Sequence, residues 1–159
     1  VFIMMPFRQN VDEQYERIEN IIREELKKKG FHAWLASDRD LDPTLWGNIT
    51  SYMTGCKYGV AVFTRKDDVV KKTIEQDFNP NVSLELGFMV SRAKRVLLLK
   101  DSVLETLPTD LMGHLYKQFD LRQVGRELPP LIQQWADELL DAEKSADNEN
   151  DSVKNNSNA

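Results

Sequence analysis

The chain has 159 residues, 41% hydrophobic and 30% charged, enough for one compact core. Its net charge of −5 offers no basic field to a phosphate backbone, which argues against nucleic acid as a partner. No apolar run approaches the ~20 residues that cross a bilayer, the single cysteine, Cys56, fits a reducing cytoplasm, and two histidines far apart, His32 and His114, argue against a structural zinc site.

Val1–Met5 is an apolar run that stops at Pro6, the pattern of a fully buried strand. The chain opens inside this run, which points to a natural start further upstream. Asn10 with Glu13 forms a capping-box pattern, and Val11, Tyr15, Ile18, Ile22 and Leu26 recur at helical spacing. Lys27-Lys28-Lys29 suit the negative end of that helix, and Gly30 ends it. Phe31–Ala36 reads as a second strand and Ser37–Asp42 as a charged loop. Pro43, at a first helical position, starts a helix reaching Gly55.

Tyr58–Thr64 is a third strand centred on Val60-Ala61-Val62-Phe63; Arg65-Lys66-Asp67-Asp68 closes it, and a polar loop runs to Phe78. Pro80–Ala93 is predicted as a helix, Arg95–Lys100 as a fourth strand, Tyr116–Asp120 as a short fifth, and Pro129–Ala142 as the last helix. Beyond Ala142 the large apolar residues disappear. Residues 141–159 hold five acids against Lys144 and Lys154, and so carry −3 of the net charge. This divides the chain into a folded domain, 1–142, and an acidic, Asn/Ser-rich linker or disordered tail, 143–159.

Strands that read as continuous apolar runs, alternating with helices, imply a parallel sheet covered on both faces. Right-handed crossovers then give a doubly wound, three-layer α/β sandwich with five central strands. Ligands bind such sheets at the carboxyl ends of the strands. Here those ends carry Pro6-Phe7-Arg8, Ser37-Asp38-Arg39-Asp40, Arg65–Asp68 and Lys100-Asp101, and Asn79–Glu85 returns to the same edge. There is no Gly-x-Gly-x-x-Gly fingerprint, no Gly-Lys-Ser/Thr phosphate loop and no Gly-x-Ser-x-Gly elbow. The acid pair that a receiver domain needs after its first strand is missing too.

The segment Asn79-Pro80-Asn81-Val82-Ser83-Leu84-Glu85-Leu86-Gly87 carries the chemistry. Asn79 can cap the helix, Pro80 fits its first position and Asn81 falls in its first turn. Val82, Leu86, Met89, Val90 and Ala93 form one apolar stripe with Glu85 on its border. Gly87 would let a backbone or ligand come close, and Leu84 and Phe88, outside the stripe, call for cover. Spacing leaves two readings open for Glu85: a helix-favouring acid near a positive helix end, or a fixed charge that stabilises a sugar cation. Cleaving a C1′–N bond builds positive charge on the ribose, and a carboxylate beside C1′ stabilises it. Nicotinamide leaves NAD+ as a neutral molecule without an acid. One glutamate and no histidine suit that reaction better than loss of a neutral nucleobase.

Three segments also carry a resemblance. Tyr58-Gly59-Val60-Ala61-Val62-Phe63-Thr64-Arg65-Lys66-Asp67-Asp68, Asn81-Val82-Ser83-Leu84-Glu85-Leu86-Gly87-Phe88 and Leu107-Pro108-Thr109-Asp110-Leu111-Met112-Gly113-His114-Leu115-Tyr116 resemble, in the same order, motifs of bacterial TIR-like predicted nucleotide-binding domains. Such domains occur in cyclic-nucleotide-triggered antiphage effectors, including those fused to STING domains. The resemblance implies a TIR-type, flavodoxin-like sandwich and NAD+ hydrolysis after oligomerisation, with NAD+ as substrate and no separate cofactor or metal. It places the catalytic glutamate at Glu85, the loop after the first strand at Pro6, Phe7 and Arg8, and the loop after the second at Ser37–Trp46. Arg8 and Lys66 become candidate phosphate contacts. Asp38, Trp46, Asp67, Asn79 and Asn81 become candidate ribose or base contacts, although Trp46 also reads as core.

The implied partners are other copies, through TIR–TIR contacts, and a fused cyclic-nucleotide-sensing domain, in the cytoplasm. The opening Ile3-Met4-Met5-Pro6-Phe7 is more similar to nucleoside 2-deoxyribosyltransferase-like proteins, which share the Asn-Pro-Asn…Glu-Leu-Gly arrangement. Those commonly carry an aspartate six residues before the nucleophilic glutamate, where this chain has Asn79. A nucleoside-processing enzyme of that kind is the alternative reading, and a non-catalytic nucleotide-binding or TIR interaction module the third.

Overall fold

The apolar runs of the sequence become the strands of a parallel sheet. The computed structural model describes residues 1–6, 13–68, 73–75, 79–104 and 116–156. Their elements run β1 (Phe2–Met4), α1 (Glu13–Lys28), α2 (Leu45–Gly55), β2 (Tyr58–Phe63), β3 (Lys66–Asp68), β4 (Thr73–Glu75), α3 (Pro80–Ser91), β5 (Arg95–Asp101), β6 (Tyr116–Phe119), a 3-10 turn at Leu121–Gln123, and α4 (Val124–Asn156). The main sheet has the order β1-β2-β5-β6, every neighbouring pair parallel.

Side chains alternate across the sheet, so each strand feeds two cores. On one face Ile3, Val60, Val62, Leu97 and Leu99 pack with Ile18, Ile22 and Leu26 of α1 and with Leu128, Ile132, Ala136 and Leu139 of α4. Gln133 to Glu25 at 2.6 Å and Lys29 to Asp137 at 2.7 Å also tie those two helices together. On the other face Phe2, Met4, Ala61, Phe63 and Leu98 meet Ile49 and Met53 of α2 and Val82, Leu86 and Met89 of α3. Each such aliphatic side chain, fully buried, contributes about 1.5–3 kcal/mol. Gly59 permits this approach: a Cβ there would lie 2.8 Å from Met4 Cε and 3.0 Å from Met89 Cε. Gly30, at φ 84°, closes α1 as the sequence predicts.

Among the described residues the main sheet has four strands rather than the expected five. Phe31–Ala36 runs beside β1 but forms a single parallel bridge, Phe2 with Trp34. Ile3 N donates to Trp34 O at 2.8 Å and Trp34 N to Val1 O at 2.9 Å. The outward-facing groups of its neighbours are taken by side chains. Leu35 N donates to Asp38 Oδ2 at 2.8 Å, and Arg23 Nη1 donates to Ala33 O at 2.6 Å. Arg23 Nη2 meets both Asp38 oxygens at 2.8 Å, closing the edge. With β1 only three residues long, no longer ladder forms.

Other boundaries shift for local reasons. Thr44, not Pro43, caps α2, its hydroxyl accepting from Gly47 N at 3.0 Å. The expected polar loop after β2 contains an antiparallel hairpin pairing Lys66 with Glu75, in which Thr73 and Ile74 favour strand. The helix α3 stops at Ser91 because Ala93 turns left-handed at φ 54°. The helix α4 starts at Val124 and continues past Ala142 to Asn156. Ala142, Glu143 and Lys144 are good helix formers, and Glu143 is anchored to Lys57 and to Tyr58, each at 2.5 Å. The Asn10 half of the capping box and most of the Leu107–Tyr116 motif lie outside the described residues.

Candidate active site

Asn79 and Pro80 set the start of α3: the Asn79 side chain accepts from Asn81 N at 2.9 Å, and Pro80 needs no donor at the first position. From that start the buried face comprises Val82, Glu85, Leu86 and Met89, the i, i+3, i+4, i+7 positions of one stripe. Glu85 therefore lies within the inward stripe, not on its border, and Val90 lies outside it, 40% exposed. Glu85 is only 8% exposed, and no donor among the described residues is hydrogen-bonded to its carboxylate. Burial alone pushes its carboxyl up to about 7.

The carboxyl group opens into a cavity of 310 Å³ at the carboxyl end of β1, lined by Phe2, Ile3, Met5, Pro6, Glu19, Leu35, Ala36, Ser37 and Glu85. Topology explains its place. The chain leaves β1 toward the Trp34 segment on one side and returns to β2 on the other, and that reversal opens a crevice. The wall at Ala36 and Ser37 is held by Asn48 of α2. Asn48 Nδ2 donates to Ala36 O at 2.6 Å and Arg39 O at 3.0 Å, and its Oδ1 accepts from Leu41 N at 2.6 Å. Arg39 lies 4.9 Å over the Trp34 ring, and Phe2 stacks on Tyr52 at 6.0 Å, so the loop rests on an aromatic base.

Thr64, Arg65, Lys100 and Asp101 at the other strand ends are each engaged within the fold. Tyr15 Oη meets Thr64 Oγ1 at 2.7 Å, Arg65 Nε lies 3.5 Å from the fully buried Asp101 Oδ2, and Lys100 Nζ donates to Leu104 O at 2.5 Å. A larger hollow of 770 Å³ lies at the amino ends of the strands, beside Lys94 and Glu143. Lys94 Nζ donates to the carbonyls of Met53, Thr54 and Cys56, closing the end of α2, and Glu143 holds Lys57. Its charges serve the fold, whereas Glu85 has no such partner among the described residues.

Of the residues proposed from sequence, the cavity brings together Pro6 and Glu85. Asp38 lies on the edge loop, bound to Arg23 and to Leu35 N. Trp46 is half exposed in the first turn of α2 and does not line the cavity; nor do Asn79 and Asn81, which form the cap of α3. Lys66 and Asp67 lie on β3, paired in register with Glu75 and Ile74. Phe7 and Arg8 lie outside the described residues. Gly87 faces open space, with nothing within 4 Å of a Cβ there. Leu84 is 57% exposed, whereas Phe88 is half-buried under Arg92 at 5.5 Å. Sequence reasoning missed Glu19 and Asn48. Only Asn48 left a signal, a polar residue within the buried stripe Asn48, Ile49, Tyr52 and Met53.

No curated protein matches the chain. Among solved structures, the Clostridium botulinum CMP N-glycosidase BcmB shares its fold, with a TM-score of 0.51, 14% identity, and coverage of 78% of this chain and 95% of that one. The sequence model of the family described as "CAP12/Pycsar effector protein, TIR domain" matches residues 1–121. With three quarters of its length so matched and a parallel α/β sheet underneath, the chain belongs to the TIR-domain family of CAP12/Pycsar effectors.

Proposed function

We propose that this domain is an NAD+ glycohydrolase in which Glu85 stabilises the ribosyl cation. The observation that carries the reading is the burial of Glu85, without a donor among the described residues, in a largely apolar crevice at the switch point. A carboxylate withdrawn from water is a poor neighbour for a neutral sugar and a strong one for a cation. In the reaction the C1′–N bond breaks and its electron pair leaves with the nicotinamide nitrogen, which becomes neutral. Water then adds to C1′ and releases a proton to solvent, giving ADP-ribose. Membership in the effector family supports control by a cyclic-nucleotide signal and by self-association, and no described helix is long and apolar enough to cross a membrane.

One observation favours a second reading. A carboxyl group titrating at about 7 is also poised to act as an acid. That would suit a neutral base leaving a nucleoside or nucleotide, as in the deoxyribosyltransferase-like alternative; the structural neighbour's own name describes an N-glycosidase acting on CMP. Nicotinamide release from NAD+ by the chain held in an oligomer, wild type against Glu85→Gln, tests the first reading. We expect a loss of at least ~10²-fold in the variant. An equal rate of NAD+ loss in both proteins rules it out.

A further inference from the structure

The Glu85 cavity has a second carboxylate that the reaction does not need. Glu19 stands on α1 and Glu85 on α3, and these helices cover opposite faces of the sheet. Both nevertheless line the one crevice beyond the end of β1. Apart from Ser37, the rest of the lining among the described residues is apolar side chain: Phe2, Ile3, Met5, Pro6, Leu35 and Ala36. A sugar drawn in there must have its hydroxyls satisfied, since a buried hydroxyl without a partner costs several kcal/mol at the upper end. Among the described residues, Glu19 is the charged acceptor positioned to do so, with Ser37 also in the lining.

Its geometry is fixed before any ligand arrives. Arg23 Nε donates to Glu19 Oε1 at 2.9 Å, and the same guanidinium is held by Ala33 O at 2.6 Å and by Asp38 at 2.8 Å. A carboxylate has about four acceptor positions, so holding protein donors does not by itself exclude the hydroxyls of a sugar. An ordinary i, i+4 pair on a helix surface would account for Arg23 and Glu19 alone. It would not account for a Glu19 side chain only 15% exposed and forming a cavity wall.

We propose that Glu19 accepts hydrogen bonds from the vicinal hydroxyls of the ribose whose anomeric carbon faces Glu85, making the site selective for ribosides over 2-deoxyribosides. This rests on the reading of the Glu85 crevice as an N-riboside cleavage site. A site built to bind a hydroxyl discriminates strongly against the analogue lacking it, because its buried acceptor loses its partner. The contact is charge-assisted, which raises that discrimination.

The test is equilibrium binding, by calorimetry, of ADP-ribose and of ADP-ribose lacking the 2-hydroxyl of its terminal ribose. Wild type is expected to prefer the intact ligand roughly tenfold or more. Glu19→Ala should bring the two affinities together, mainly by weakening ADP-ribose, and Glu19→Gln should fall between. A purely structural Glu19 would weaken both ligands in proportion, and an unmoved ratio overturns the proposal, as does a wild type that binds neither. Nicotinamide release separates this from the catalytic reading. An unmoved ratio with Glu85-dependent NAD+ cleavage removes only the Glu19 assignment. A collapsed ratio without NAD+ cleavage upholds Glu19 and removes NAD+ as the substrate.

Discussion

Glu85→Gln should stabilise the fold increasingly as the pH rises, while removing the chemistry. The carboxyl titrates at the ordinary 4.5 in the unfolded chain and at about 7 in the fold. Below 4.5 it is protonated in both states and burial costs no ionisation energy. As the pH rises the unfolded chain ionises first, so folded-state stability falls, and by pH 8 nearly all of the loss, on the order of 3 kcal/mol, has accrued. Glutamine never ionises, but its buried amide lacks a partner among the described residues, which offsets about 1 kcal/mol. The variant should therefore be close to wild type at pH 5 and more stable by about 2 kcal/mol at pH 8. For a chain of this size that is about 4–8 °C in the unfolding midpoint. Thermal melts of both proteins followed by circular dichroism at pH 5 and pH 8 give the comparison. A difference that does not widen between them, or a variant less stable at pH 8, would refute the idea that Glu85 is a desolvated acid. A group that lowers stability at its working pH is what a preorganised site retains.

The same titration sets the sign of the pH–rate profile. Glu85 is ionised to about one part in ten at pH 6 and nine in ten at pH 8, so kcat/KM for nicotinamide release should rise roughly tenfold across that range. A profile falling over the same interval would identify Glu85 as an acid and favour the neutral-base reading. Asn48→Ala removes three hydrogen bonds that fix residues 36–41 and should cost about 2–3 kcal/mol in urea unfolding. It should also raise KM more than it lowers kcat, and an unchanged KM would detach this loop from the site. Ala93→Gly relieves a left-handed alanine at the end of α3 and should add up to about 1 kcal/mol of stability, read in the same unfolding assay; a destabilised variant would contradict it.

Local patterns carried most of the architecture. Val60–Phe63 and Val96–Leu99 read as strands and lie in β2 and β5, and Gly30 ends α1 at a positive φ. The orientation of Glu85 was harder to read. A stripe extended at helical steps to Ala93 puts Glu85 on its margin, but the helix ends two residues sooner, and the observed inward set is centred between Glu85 and Leu86. Phe31–Ala36 has strand composition, yet Arg23 and Asp38 take its backbone groups, and nothing in the local sequence pairs residues 15 apart. Glu19 was illegible for a related reason. In a helix as charged as α1 one more acid is unremarkable, and only the packing of that helix against β1 makes it a cavity wall.

The clasp between Arg23 and Asp38 has a consequence for how copies of this chain can add to one another. An open sheet edge is a template on which another strand can grow, and unprotected edges lead to uncontrolled stacking. Here the Ala33 carbonyl and the Leu35 amide, the groups a docking strand would seek, are already bound by side chains. A neighbouring copy arriving at this border meets a guanidinium and a carboxylate instead of a free ladder. Strand addition is thus blocked along the Trp34 border, and a copy docking at that border must do so through side-chain contacts.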